Sequence, residues 1–264
     1  MKAMKKIFAA AVAVCAGAAL QAQQLTGYDV VKLAEEVDEG KTNSSRAVLT
    51  LTSQKGAVRT REILMREKDY GNIKKSVFIF SAPKDVLGVA YLSFDYPDKG
   101  ETKQESDSWL YMPAMKKTRR ISGSGKDDDF MGTDFSYADL GERGLNKDIF
   151  TLLGEETVDG QNCYKVEAVA KDKSEKSQRR ILWIRKDNYI LSKAEYYDRQ
   201  NNLYKELSCS NIKQIDGIWT TEKMFMKNAK TGHSTLLELK DVKYNMDIPD
   251  AYFTVSAIER GNIR

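Results

Sequence analysis

Histidine occurs once in this chain of 264 residues, proline four times and cysteine three times, and no G-x-S-x-G sequence is present. A Ser-His-Asp triad would therefore have to use His233, which follows "KTG" at an expected turn. It would also lack the strained elbow that exposes a nucleophilic serine in many hydrolases. "ISGSGK", residues 121–126, sets Ser124 between glycines, but has neither a strand-to-helix context nor the G-x-x-x-x-G-K-[ST] spacing of a phosphate-binding loop. A lipid hydrolase working through His233 is the enzymatic alternative left open. Long apolar runs are missing too: beyond residue 20 none approaches the ~18 residues that a membrane span needs.

The first residues, "MKAMKKIFAAAVAVCAGAALQAQQ", are unlike the rest. Lys2, Lys5 and Lys6 precede an apolar stretch at 7–20, and "LQA" ends at Ala22 like a small-residue cleavage site. That pattern is a secretory signal peptide, with cleavage after Ala22 and export to the periplasm expected. Cys15 follows bulky Val14, where a lipid-modified cysteine follows a small residue, so a lipoprotein anchor is not expected. Removing those three lysines from 42 Lys and Arg leaves 39 basic residues against 38 acidic ones, a net charge of +1. Nucleic acid is not a favoured partner at that balance. With 30% charged and 41% apolar residues, the remaining 242 have the composition of a folded chain.

Residues 26–40, "TGYDVVKLAEEVDEG", predict the one clear helix. Thr26 with Asp29 suits a capping box, Val30, Leu33, Ala34 and Val37 make one stripe, and Gly40 can stop it. The hydrophobic period then becomes two. Candidate strands lie at 46–53, 57–67, 73–81, 87–95, 107–113 and 116–122. A second series lies at 150–158, 162–171, 178–187, 189–198, 203–214, 217–227 and 233–244. Turn signals such as "QKG", "DKG", "VDGQN" and "QIDG" separate them. Boundaries are the weakest part of such a reading, so about ten to twelve true strands are expected. The lack of long helices between strands excludes a parallel βαβ fold and favours an antiparallel meander.

Several strands are apolar on both faces: Phe78 and Phe80 alternate with Val77 and Ile79, and Trp109 and Tyr111 with Leu110 and Met112. Either protein covers both faces or one face lines an apolar cavity. With one helix available as cover, a curled, unclosed sheet around a cavity is favoured, and a two-sheet sandwich is the alternative.

"DDDFMGTDFSYADL", residues 127–140, interrupts the pattern within an excursion at 122–149. Counted as a calcium loop from Asp127, Gly132 falls at the sixth position, but Met131 and Ala138 stand at the fifth and twelfth, where oxygen ligands belong. No metal site is expected. A short helix capped by Thr133 or Asp134 and ended by Gly141 suits the sequence better. Phe130, Met131, Phe135 and Tyr137 are too apolar for a solvated loop and predict a plug in the open end of the sheet. Asp127, Asp128 and Asp129 would mark its wet rim, facing "KKTRR" at 116–120.

Residues 108–140, "SWLYMPAMKKTRRISGSGKDDDFMGTDFSYADL", resemble the hallmark segment of the bacterial outer-membrane lipoprotein-sorting proteins. Residues 247–261, "DIPDAYFTVSAIERG", are similar to that family's C-terminal pattern. The resemblance implies one domain over 23–264 with the fold of the periplasmic Lol carriers. That fold is an unclosed, strongly curved antiparallel β-barrel whose mouth is closed by helices over a hydrophobic cavity. It further implies lipid or lipoprotein acyl chains as ligand, traffic toward the outer membrane, no cofactor, and company with lipid-exporting transporters of the resistance-nodulation-division type. A monomer is expected, and an accessory protein of such a transporter that holds no ligand is the alternative.

From the strand pattern, Phe78, Phe80, Tyr91, Phe94, Trp109, Tyr111 and Trp183 are expected to form the cavity wall or its backing. Cys163 and Cys209 are expected to be free thiols. They fall on opposite faces of strands separated by two others, which at ~4.8 Å per strand step is roughly 14 Å. A disulfide needs about 4.4–6.8 Å between Cα atoms.

Overall fold

A computed structural model describes residues 25–96, 106–261 and 263. The expected signal peptide, Cys15 and the "DKG" turn at 98–100 lie outside the described residues.

Every strand among the described residues belongs to one antiparallel sheet. The first arm holds β1 (Thr42–Thr52), β2 (Val58–Asp69), β3 (Lys74–Ala82), β4 (Ala90–Asp95), β5 (Asp107–Met112) and β6 (Lys117–Ile121). The second holds β7 (Asp148–Val158), β8 (Gln161–Ala170), β9 (Arg179–Arg185), β10 (Leu191–Tyr197), β11 (Leu203–Ile215), β12 (Ile218–Asn228) and β13 (Ser234–Tyr244). Each arm is a meander, and β1 joins them by pairing with β13, from Asn43 opposite Tyr244 to Thr52 opposite Ser234. The sheet ends at β6 and β7 and is not closed into a barrel. The described residues thus form thirteen strands, above the expected ten to twelve, and one sheet rather than a sandwich. All the candidates persist, and two of the connections are two-residue turns. Asp159-Gly160 and Asp216-Gly217 each put both central residues at positive φ, the geometry of a two-residue hairpin.

Helix α1 (Gly27–Glu35) starts at the expected capping box, with Thr26 and Asp29 satisfying each other's backbone N–H groups. It is shorter than expected and buries Gly27, Val30 and Val31 instead of Leu33 and Val37. Its seat explains the change. Val30 and Val31 pack with Val166 of β8 and Ile184 of β9. A Cβ on Gly27 would stand 2.7 Å from the backbone N of Leu152, so only glycine lets the helix approach β7 this closely. The chain then turns toward β1 through Gly40 at φ +73.

A second helix, α2 (Val255–Arg260), was not foreseen. Thr254 caps its start and Gly261, at φ 65, ends it. Ala257 and Ile258, with Ile248 and Phe253, bury against Val77, Ala90 and Leu92 on the outer face of β3 and β4. The first arm is therefore covered on both sides, which accounts for its doubly apolar strands.

Candidate ligand site

The connection from β6 to β7 runs along the enclosed side of the curved sheet. It is a series of short 3-10 turns, at Gly123–Asp127, Phe130–Gly132, Tyr137–Leu140 and Leu145–Lys147. The cap of the third turn is Ser136, boxed with Asp139, rather than Thr133 or Asp134. Thr133 serves the loop itself, its buried hydroxyl donating to the Phe130 carbonyl at 2.8 Å. The Phe130 N–H donates to the Phe135 carbonyl at 2.7 Å, so the segment has an internal brace.

One side of this plug is aromatic. Phe130, Phe135 and Tyr137 are 3%, 6% and 5% exposed, so they fill the enclosed side rather than cap it. The Phe130 ring lies 5.6 Å from Phe80, 5.8 Å from Tyr91 and 5.5 Å from Tyr137. Tyr137 is 5.6 Å from Tyr91, which in turn is 5.8 Å from Phe78. Met131 packs against the same core, and Arg61 donates to its carbonyl while lying over the Phe80 ring. These contacts are made with the first arm.

The other side is polar and meets the second arm. The Asp134 carboxylate accepts from the Thr235 hydroxyl at 2.7 Å and pairs with His233 Nδ1 at 2.6 Å. The Asp134 N–H donates to the Thr235 oxygen at 3.0 Å. Asp139 accepts from Lys205 Nζ at 2.6 Å, with Lys205 lying 4.5 Å from the centre of the Tyr196 ring. Deeper still, Asp148 at the start of β7 accepts from Arg143 and from Arg180 Nη2, each at 2.6 Å. Burial, reinforced by Arg143, lowers the pKa of Arg180. Burial and then Asp139 push the Tyr196 phenol well above its ordinary value. A cavity of about 110 Å³ lies beside these contacts, bounded in part by Tyr91, Tyr137, Asp139, Arg180, Tyr196 and Lys205.

The aromatic residues expected at the cavity divide between the two faces. Phe78, Phe80 and Tyr91 face the plug. Phe94, Trp109 and Tyr111 face outward, in the core covered by α2, with Phe94 and Trp109 edge to face at 5.0 Å. Trp183 is also outward, packed with Cys163 and Ile181 beneath Lys165 and Lys193. The parity of each strand decides this: Leu110, not Trp109 or Tyr111, shares a face with Phe80. Leu49, Ile63, Leu207 and Met226 complete the enclosed wall. In β1, Ala47, Leu49 and Leu51 alternate with Val48, Thr50 and Thr52 and form its inward face. The Asp134, Thr235 and His233 cluster and the Asp139–Lys205 pair had no sequence signal, since each joins residues 66 to 101 apart.

Among the described residues, Asp127, Asp128 and Asp129 make no ion pair with 116–120, and Arg120 pairs with Asp107 instead. No group of three or more His, Cys, Asp or Glu among them could hold a metal ion. Cys163 and Cys209 are both free and buried, in different cores.

A family model described as "Uncharacterized protein" matches residues 72–260. The chain is similar to a DUF1329 family protein from Desulfovibrio piger at 34% identity, with a TM-score of 0.82, covering 88% of this chain and 97% of that one. It is similar to a "putative outer membrane lipoprotein-sorting protein domain" from Vibrio parahaemolyticus at 30% identity, with a TM-score of 0.81, covering 89% and 98%. In fold it is also similar to a LolA superfamily protein from Nitrosomonas europaea, at 23% identity and a TM-score of 0.67, covering 88% and 99%. No match was found among curated proteins. With a third of its residues identical to the first of these over nearly the whole of both chains, this protein belongs to the DUF1329 family and has a LolA-like fold.

Proposed function

We propose that this protein carries lipid or lipoprotein acyl chains on the enclosed side of its sheet, in the place that the plug fills in the free state. The observation that carries this reading is the aromatic cluster of Phe130, Phe135 and Tyr137, an apolar body on a connection between strands rather than in the sheet, buried inside an unclosed sheet. Each CH₂ moved from water gains about 0.8 kcal/mol, so one acyl chain can compete with such a cluster. A plug that returns when the chain departs makes binding reversible, as transfer requires. The LolA-like fold and the name of the Vibrio relative support the same reading. Export to the periplasm, traffic toward the outer membrane and a transporter of the resistance-nodulation-division type as partner belong to it, as does a monomeric state. An enzymatic role does not: His233 Nδ1 pairs with the Asp134 carboxylate, and the Thr235 hydroxyl donates to that same carboxylate rather than to the imidazole. Organic-solvent extraction of purified mature protein followed by mass spectrometry is expected to find bound lipid. Its absence, together with no binding of an apolar fluorophore, would leave the ligand-free accessory role instead.

A further inference from the structure

The plug has the chemistry of an amphiphile. Phe130 and Tyr137 form its apolar body, and Asp139, two residues beyond Tyr137, sets a carboxylate on Lys205 at the cavity edge. The Lys205 side chain is only 7% exposed, and among the described residues its one ion pair is to Asp139. Its other close neighbours are the rings of Tyr196 and Tyr204, at 4.5 and 6.0 Å. Arg180 lines the same cavity with donors to spare. Its Nη2 is bound to Asp148, a carboxylate shared with Arg143, while its Nε has no hydrogen-bond partner.

When the plug withdraws to admit an acyl chain, the step on which this inference rests, Asp139 leaves with it. Lys205 then remains in the wall without its counter-charge, and an uncompensated buried cation is strongly unfavourable. A neutral amphiphile leaves that penalty standing. One that brings its own anion removes it, through the charge-assisted hydrogen bonds that Asp139 had made.

We infer that the ligand is an anionic amphiphile, whose chain replaces Phe130 and Tyr137 and whose phosphate or carboxylate head replaces Asp139 on Lys205, with Arg180 as a second donor. The plug mimics both halves of what it yields to.

The test is calorimetric binding of dodecyl phosphate, dodecanoate and dodecanol, each below its micellar concentration, and of inorganic phosphate alone. Wild type is expected to bind dodecyl phosphate about tenfold or more tighter than dodecanol. Lys205→Met should erase that preference, weakening dodecyl phosphate binding without weakening dodecanol binding, since no buried cation is then left unpaired. Asp139→Asn should strengthen dodecyl phosphate binding, because Lys205 then lacks a partner even with the plug in place. Opposite shifts from the two ends of one ion pair are what a merely structural salt bridge would not give. Dodecanoate compared with dodecyl phosphate tells a carboxylate head from a phosphate. Equal binding of dodecanol and dodecyl phosphate by wild type, or shifts of the same sign in both variants, would overturn the inference. Inorganic phosphate binding as tightly as dodecyl phosphate would overturn it too, in favour of a free-anion site. Failure of all three amphiphiles to bind would take the carrier reading down with it. Melting curves establish that each variant folds; should Lys205→Met not fold, the sign of the Asp139→Asn shift still decides.

Discussion

Against the first arm the plug lies on Phe80 and Tyr91, ring upon ring. Against the second it is held by Thr235, His233 and Lys205, through hydrogen bonds to two of its carboxylates. The forces differ in how they can be exchanged. Apolar contact is non-directional, so another chain of similar volume can replace a ring at little loss. Polar contact is directional, and a buried donor left without its acceptor is penalised in full. On the proposed reading, the first arm would accept many chains and the second would discriminate among heads.

The largest effect is expected where the aromatic side is cut. Phe130→Ala removes a ring shared with Phe80, Tyr91 and Tyr137 and should cost about 3–5 kcal/mol, read as a lower urea midpoint. Phe130→Leu, which leaves a smaller cavity, should lose well under half as much. An equal loss in both would mean that the ring cluster does not hold the plug.

Cutting the polar side should cost less and act more locally. Asp134→Ala leaves the Thr235 hydroxyl without its acceptor, for about 1–3 kcal/mol. Hydrogen exchange should then rise through 128–140 while β11 to β13 stay protected. Uniformly faster exchange over the whole second arm would show that Asp134 supports the sheet rather than the plug.

Smaller still, and of opposite sign, is the change expected at Asp95 on the enclosed side of β4. Burial, and then the nearby Glu142, raise its pKa above that of the unfolded chain. Its contribution to stability is thus fully present below the unfolded value, about 3.9, and is lost as pH rises through the higher folded value. Asp95→Asn keeps the uncharged form at every pH. Stability should rise on the order of 1 kcal/mol near neutrality and be unchanged in acid, as melting curves across pH would record. A loss at neutral pH would show that the hydrogen bond from the Ser93 hydroxyl to the charged carboxylate outweighs its burial.

No stability change accompanies the thiol count. Burial pushes Cys209 up to about 12 and raises Cys163 as well, so neither should react with a thiol reagent in the native protein near pH 8. Two should react after denaturation without reductant.

The strands were legible because their turns were. Gly160 and Gly217 mark hairpins by residue type alone, and the Thr26 capping box fixed where α1 starts. The faces of doubly apolar strands were not legible. Phe80 and Trp109 look alike in sequence, and only the register through β4 and β5 places one under the plug and the other under α2. The plug showed itself by Phe130, Phe135 and Tyr137 in a stretch too long and apolar for a turn. Its polar moorings stayed hidden, since Lys205 is one lysine among many until the fold brings Asp139 to it.

Hydrogen exchange of 128–140 in lipid-free protein, alone and saturated with dodecyl phosphate, tests most directly whether the plug holds the place of the ligand. Slow exchange in the free protein, lost on binding while β3 and β4 stay protected, is the predicted result. A plug that remains equally protected with ligand bound would contradict the account.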